Sequence, residues 1–140
     1  MRQILLFALL AASLALLSGC ALSRAKADTA EDMTDKAAYQ KISAEEAYEM
    51  MASQEVVVVD VRAREEYESG HIENAVLVPN ENIGSEMPEA LPDKEATLLI
   101  YCRSGRRSKD AAEKLLSLGY QSVYDFGGVI DWPYELVKEG

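Results

Sequence analysis

Two uninterrupted apolar runs set the frame of the chain. Val56-Val57-Val58-Val59 and Thr97-Leu98-Leu99-Ile100-Tyr101 are β-branched and aromatic without polar alternation, the signature of strands covered on both faces and therefore of a parallel sheet. Between and after them the apolar positions fall at helical spacing. Ala47, Tyr48 and Met51 share one face and are expected to pack in the core, behind a capping box formed by Ser43 and Glu46. Ala111, Ala112, Leu115 and Leu116 mark a second helix, with Asp110 and Lys114 as a surface pair and Gly119 as its stop. Short strands are predicted at Tyr39–Ile42, at Ala75–Val78, which Pro79 ends, and at Val123–Phe126, after which Gly127-Gly128 allows a tight turn. Asn80 to Lys94, with Gly84, Pro88 and Pro92, is expected to be a helical turn and loop. Strands alternating with helices give an α/β fold: a central, mostly parallel sheet with helices on both faces.

The N-terminus follows a different pattern. Arg2 precedes an almost wholly apolar stretch from Ile4 to Leu17 and then Ser18-Gly19-Cys20, a run short for a membrane span but with the charged start and small-residue end of a secretory signal. Residues 20–38 are small and polar with no sustained apolar face, and are expected to act as a flexible tether to a domain spanning 39–140.

With 140 residues there is room for one domain and a leader. The formal charge of −10 argues against a nucleic-acid partner, because a phosphate backbone would be repelled by most of the surface. In this acidic chain Arg103, Arg106 and Arg107 stand within five residues of one another, as if gathered to meet a small anion.

Cys102 lies at the junction of the second apolar run and the second helix, where unpaired backbone N–H groups and the helix dipole favour an anion. Those groups and the adjacent arginines are expected to lower its pKa and hold it as a thiolate. The arginines also argue against burial of its side chain in an apolar core. Asp60 and Arg62 follow the first apolar run, at the carboxyl end of a parallel strand, where crevices form in open α/β sheets. They are candidates for buttressing the cysteine loop; the simpler alternative has Asp60 capping the turn near Arg64 and Arg62 pairing with Glu65 or Glu66 at the surface. His71 is the sole histidine. A thiolate already stabilised needs no base, so His71 is assigned a turn-fixing hydrogen bond. Trp132 is read as a core or rim aromatic.

The loop Cys102-Arg103-Ser104-Gly105-Arg106-Arg107-Ser108 resembles the active-site loop of the rhodanese-like sulfurtransferases. Val57 to Arg62 is similar to the strand of that family ending in Asp-x-Arg. Glu66 to Ala75 resembles its Glu-x-x-x-Gly-His-Ile-x-x-Ala signature, and Gly127 to Trp132 its closing Gly-Gly-x-x-x-Trp. Asn74 stands where the family often has glycine, and asparagine tolerates the left-handed backbone needed there. The resemblance implies a rhodanese-like fold, Cys102 as catalytic nucleophile, and substrate contacts from residues 103–108. It also implies a mainly structural role for Asp60 and Arg62 and no cofactor or metal. The implied partners are a small anionic sulfur donor, such as thiosulfate, and a cyanide or thiol acceptor. A carrier module exchanging persulfide sulfur with a partner protein is the alternative. A cysteine phosphatase or arsenate reductase is a lesser one, because the Cys-x5-Arg pattern would need arginine where Ser108 stands.

Leu17-Ser18-Gly19-Cys20 resembles the bacterial lipobox, which implies removal of residues 1–19 as a lipoprotein signal peptide, a lipid on Cys20 and an extracytoplasmic, membrane-anchored protein. Ala21 and Leu22 lack an aspartate retention signal, which by analogy suggests an outer membrane where the cell has one. Cys20 and Cys102 are the two cysteines, so lipidation of the first leaves the second without a disulfide partner in the chain.

Overall fold

The computed structural model describes residues 38–139. The expected leader 1–19, Cys20 as the expected lipidation site and the expected tether 20–38, apart from Ala38, lie outside the described residues. The elements in order are β1 (Gln40–Lys41), α1 (Ala44–Ser53), β2 (Val57–Asp60), α2 (Arg64–Ser69), β3 (Val76–Leu77), β4 (Thr97–Cys102), α3 (Arg106–Ser117) and β5 (Ser122–Gly128). Single 3-10 turns at Asn80–Asn82 and Val129–Asp131 complete them. The five strands form one sheet in the order β1-β5-β4-β2-β3, and every strand pair is parallel. Outside it, His71 and Val137 make one antiparallel bridge that ties down the C-terminal segment.

Alternation along the strands divides the core into two layers. Val59, Leu98, Ile100, Cys102 and Val123 pack with Ala111, Ala112 and Leu115 of α3. Val58, Leu99, Tyr101 and Phe126 pack on the other side with Ala47 of α1 and partly buried Tyr67 of α2. Both apolar runs are thus covered by helices on both faces, which is why neither shows polar alternation. α1 carries the expected capping box: Glu46 N–H donates to Ser43 Oγ at 3.1 Å and Ser43 N–H to Glu46 Oε2 at 2.8 Å. α3 ends as expected at Gly119, whose N–H donates to Leu116 O, while that of Tyr120 donates to Leu115 O. Asn74 is left-handed at φ 62°.

Several expectations are corrected. Tyr48 is 45% exposed and not a core residue, because it lies against Tyr134 of the C-terminal segment, with ring centroids 3.9 Å apart. The final strand runs through Gly128 instead of turning at Gly127-Gly128: β5 gains one extra residue, Phe126, opposite the Ile100–Tyr101 step of β4, and pairing then resumes with Cys102 opposite Gly128. The strand expected at Ala75–Val78 is only Val76–Leu77.

Arg62 does not pair with Glu65 or Glu66, nor is it at the surface. Asp60 and Arg62 are 0% and 4% exposed, and the Arg62 guanidinium donates from Nε and Nη2 to both carboxylate oxygens, with Nη2 to Oδ2 at 2.6 Å. Nη2 also donates to Gly70 O at 2.8 Å, and the guanidinium sits 5.5 Å from the Tyr101 ring centroid. The Asp60 side chain does not cap α2, whose N-cap is Ala63. Burial demands this arrangement, since either charge left unpaired there would cost about 3–5 kcal/mol. The pair braces the ends of β2 and α2 and the underside of Tyr101, and it makes no hydrogen bond to the loop 103–108 among the described residues.

Candidate active site

β4 delivers Cys102 to the carboxyl edge of the sheet, and the chain must then reverse into α3 within three residues. Gly105 makes the reversal as the N-cap of α3 at φ +99°, a conformation that suits glycine. The loop is pressed against the end of β5: Ile130 N–H donates to Arg103 O at 3.2 Å. Gly128 leaves the space for this approach, since a Cβ built on it would collide with Arg103 O and lie 2.6 Å from Ser104 Cα.

The fold of the loop directs donors at sulfur. Gly105 N–H points to Cys102 Sγ at 3.0 Å, and the thiol donates to Ser108 Oγ at 3.7 Å. Ser108, 0% exposed, donates in turn to Gly105 O at 3.0 Å and Gly127 O at 3.3 Å. Burial pushes the Cys102 pKa up. The Ser108, Gly105 and Ser104 backbone N–H groups, joined by the Ser108 hydroxyl once the sulfur ionises and the hydroxyl turns to donate to it, outweigh burial, so the net shift is downward from the ordinary value. Ser108→Ala is accordingly expected to raise the thiol pKa, read from the pH dependence of iodoacetamide alkylation; an unchanged midpoint would remove Ser108 from this role.

The position of the sulfur corrects one expectation. Cys102 is 1% exposed and belongs to the apolar cluster under α3. Three arginines in the loop do not prevent this, because Cys102 is still a strand residue whose side chain is buried, whereas Arg103 and Arg106 are exposed. The sulfur therefore has apolar neighbours on one side and amide hydrogens on the other.

The cations are not equivalent. Arg107, half-buried, is held by Glu66 through Nη1 to Oε2 at 2.7 Å and Nη2 to Oε1 at 2.8 Å. Its hydrogen bond to Arg107 is the largest influence on Glu66; burial opposes it and the Ala63 N–H assists, and the carboxyl is lowered from 4.5 to about 2. Arg103 and Arg106 make no side-chain hydrogen bond or ion pair among the described residues. Arg106 and Arg107 line a hollow of about 330 Å³ with Asn80 and Asp110. A larger hollow of about 670 Å³, lined by residues such as Tyr48, Trp132 and Tyr134, contains no residue of the cysteine loop. Ser104 is exposed, and its hydroxyl makes no hydrogen bond among the described residues.

His71 Nδ1 lies 2.9 Å from Tyr67 O and its ring stacks on that of Tyr67 at 3.7 Å, so it fixes the turn after α2. Trp132 is buried with Phe126 in the layer opposite α3. Asp125, 1% exposed, is a residue that the sequence analysis passed over. Its Oδ1 accepts from Gly127 N–H at 2.8 Å, and its Oδ2 accepts from Tyr39 OH at 2.6 Å and faces Lys41 Nζ at 3.3 Å. It fixes the bulged end of β5 that carries Gly127 and Gly128 beneath the cysteine loop. A carboxylate inside the strand sequence Val123-Tyr124-Asp125-Phe126 was the available signal.

Residues 43–133 match the model of the rhodanese-like domain. The chain belongs to the rhodanese-like family. A rhodanese from E. coli, solved with anions, is 35% identical and matches with a TM-score of 0.54, covering 59% of this chain and 98% of that one. A human single-domain sulfurtransferase is 27% identical with a TM-score of 0.59, covering 66% of this chain and 93% of its own. Among curated proteins, the tRNA uridine(34) hydroxylase of Hamiltonella defensa subsp. Acyrthosiphon pisum (strain 5AT) is 36% identical over 116 residues, 78% of this chain but 33% of that protein. The chain thus spans about a third of the length of that curated relative. The all-parallel sheet and helical layers described above are those of a rhodanese fold.

Proposed function

We propose that this rhodanese-like domain is a sulfurtransferase working through a persulfide on Cys102. The observation that carries the reading is the geometry at sulfur: a pKa-lowered thiol at a helix N-terminus, with Gly105 N–H at 3.0 Å, in a loop whose Arg103 and Arg106 are exposed and unpaired among the described residues. The Cys102 thiolate attacks the outer sulfur of thiosulfate or a similar donor. The new S–S bond forms as the donor S–S bond breaks, and the electron pair leaves with sulfite, whose charge Arg103 and Arg106 are placed to stabilise. The loop N–H groups then hold the persulfide anion. Cyanide or a thiol attacks its outer sulfur and the bond to Sγ breaks, giving thiocyanate or a new persulfide and restoring the thiolate. Initial rates with thiosulfate and cyanide should give the parallel double-reciprocal lines of a ping-pong reaction; intersecting lines would exclude a free persulfide intermediate.

One observation favours protein-to-protein carriage as a second reading. Cys102 is almost fully buried, so a donor must open a way to the sulfur, and a docking partner has more contact surface with which to do so than a small anion. Persulfide uptake from a protein donor without thiosulfate turnover would favour this alternative. The phosphatase reading has less support, since Arg107 is committed to Glu66.

In the same proposal the domain is extracytoplasmic, tethered through residues 20–38 to a lipid on Cys20 in a bacterial membrane, either the cell membrane or an outer membrane. Fatty-acid labelling of the full chain that persists in Cys20→Ala would refute the anchor.

A further inference from the structure

We propose that Glu66 is a specificity-determining counter-ion of the active site: by engaging Arg107 it leaves two guanidinium groups, Arg103 and Arg106, to receive an anionic donor. The proposal deepens the sulfurtransferase reading and rests on it for the kinetic part of its test.

Glu66 belongs to α2, not to the cysteine loop, and reaches Arg107 across 41 positions of sequence. Both ends of the contact are fixed. Glu66 Oε2 accepts from Ala63 N–H at 3.2 Å at the start of α2, and Arg107 occupies the first turn of α3, next to the sulfur's hydrogen-bond donors. The two N–H···O bonds of 2.7 and 2.8 Å give the fork-to-fork geometry in which arginine binds carboxylates best, and it is the same geometry an oxyanion of the donor would need. Glu66 therefore occupies the binding edge of Arg107 that a substrate would otherwise take. The pair is partly shielded, with side chains 32% and 25% exposed, so solvent screening of the carboxylate is incomplete. Arg103 and Arg106 remain at the surface, exposed and unpaired among the described residues, in number suited to a dianion. Asp110 lines the hollow beside Arg106 and Arg107 and is already bonded to Lys114 and Asn80, both at 2.8 Å, while Glu81 acts on Arg107 only as a weaker, through-space charge than Glu66.

Removing the carboxylate while keeping its shape raises the positive potential over the sulfur and frees a third guanidinium. Glu66→Gln retains an oxygen for Ala63 N–H and is expected to lower the KM for thiosulfate about threefold to tenfold, the change lying in KM and not in kcat. The field at the sulfur is read separately by alkylation with iodoacetate, an anion, and iodoacetamide, which is neutral. The ratio of the two rates cancels changes in access to the thiol and in its ionisation. It should rise about threefold to tenfold in Glu66→Gln and fall in Arg107→Gln, at low ionic strength. This ratio requires no sulfur transfer, so absence of thiosulfate turnover would remove the thiosulfate reading together with the kinetic arm and leave the counter-ion role to be judged by alkylation alone. An iodoacetate-to-iodoacetamide ratio unchanged in Glu66→Gln, with only a loss of thermal stability, would make Glu66 a structural tie between α2 and α3 and overturn the proposal.

Discussion

Cys102→Ser is expected to reduce thiosulfate:cyanide sulfur transfer by about a thousandfold or more, while the domain remains folded. Serine fits the space of a side chain that is 1% exposed, and its oxygen can still accept from Gly105 N–H. What is lost is the chemistry. A serine hydroxyl is not ionised by the hydrogen bonds that suffice for a thiol, and oxygen cannot form the S–S bond that stores the transferred sulfur. The structural cost should be small, about 1 kcal/mol, because the oxygen enters an environment with amide donors on one side and apolar groups on the other. Initial rates and thermal unfolding, measured on the same preparation, separate the two effects. Activity within tenfold of the wild type would place the nucleophile elsewhere.

Gly128→Ala should have the next largest effect, although the residue carries no functional group. Its backbone, φ −120° and ψ 144°, is ordinary extended chain, so the conflict is one of space and not of conformation. The added methyl would enter the backbone of Arg103 and Ser104, which cannot move aside as a flexible side-chain end can. The loop must lift from β5, disturbing the Ile130 N–H to Arg103 O bond and the alignment of the Ser104 and Gly105 amides with sulfur. A loss of roughly a hundredfold in kcat/KM is expected from displacement of these donors, with about 1–3 kcal/mol of destabilisation from overpacking. Gly127→Ala is the contrast. Its added methyl would meet the mobile end of Lys41 at 3.0 Å, and its penalty comes instead from φ +92°. Full activity in Gly128→Ala would show that the loop reaches its catalytic form without this contact.

Much of this architecture was legible in the sequence because its causes are local or periodic. The runs Val56–Val59 and Thr97–Tyr101 announced strands covered on both sides, Ser43 and Glu46 announced the start of α1, and the apolar spacing from Ala111 to Leu116 announced α3. Cys102 was found at a strand-to-helix turn for the same reason. What escaped depends on contacts between residues far apart in sequence. The Glu66–Arg107 pair spans two helices, and Arg62 is buried because Gly70 O and Tyr101 close around it, neither of which an Asp-x-Arg tripeptide pattern reveals. Asp125 was overlooked because a carboxylate in a strand has meaning only once Gly127 N–H, Tyr39 and Lys41 are seen to converge on it. The burial of Cys102 runs against the expectation from the arginines, because charge in the loop does not govern the strand residue before it. Strand alternation decides that position.

The most direct measurement is the intact mass of the full chain after incubation with thiosulfate and removal of excess donor. The persulfide account predicts the addition of one sulfur atom, located at Cys102 by peptide mapping, released as thiocyanate on adding cyanide and absent from Cys102→Ser. An unchanged mass in the wild-type protein, or an equal gain in Cys102→Ser, would contradict it.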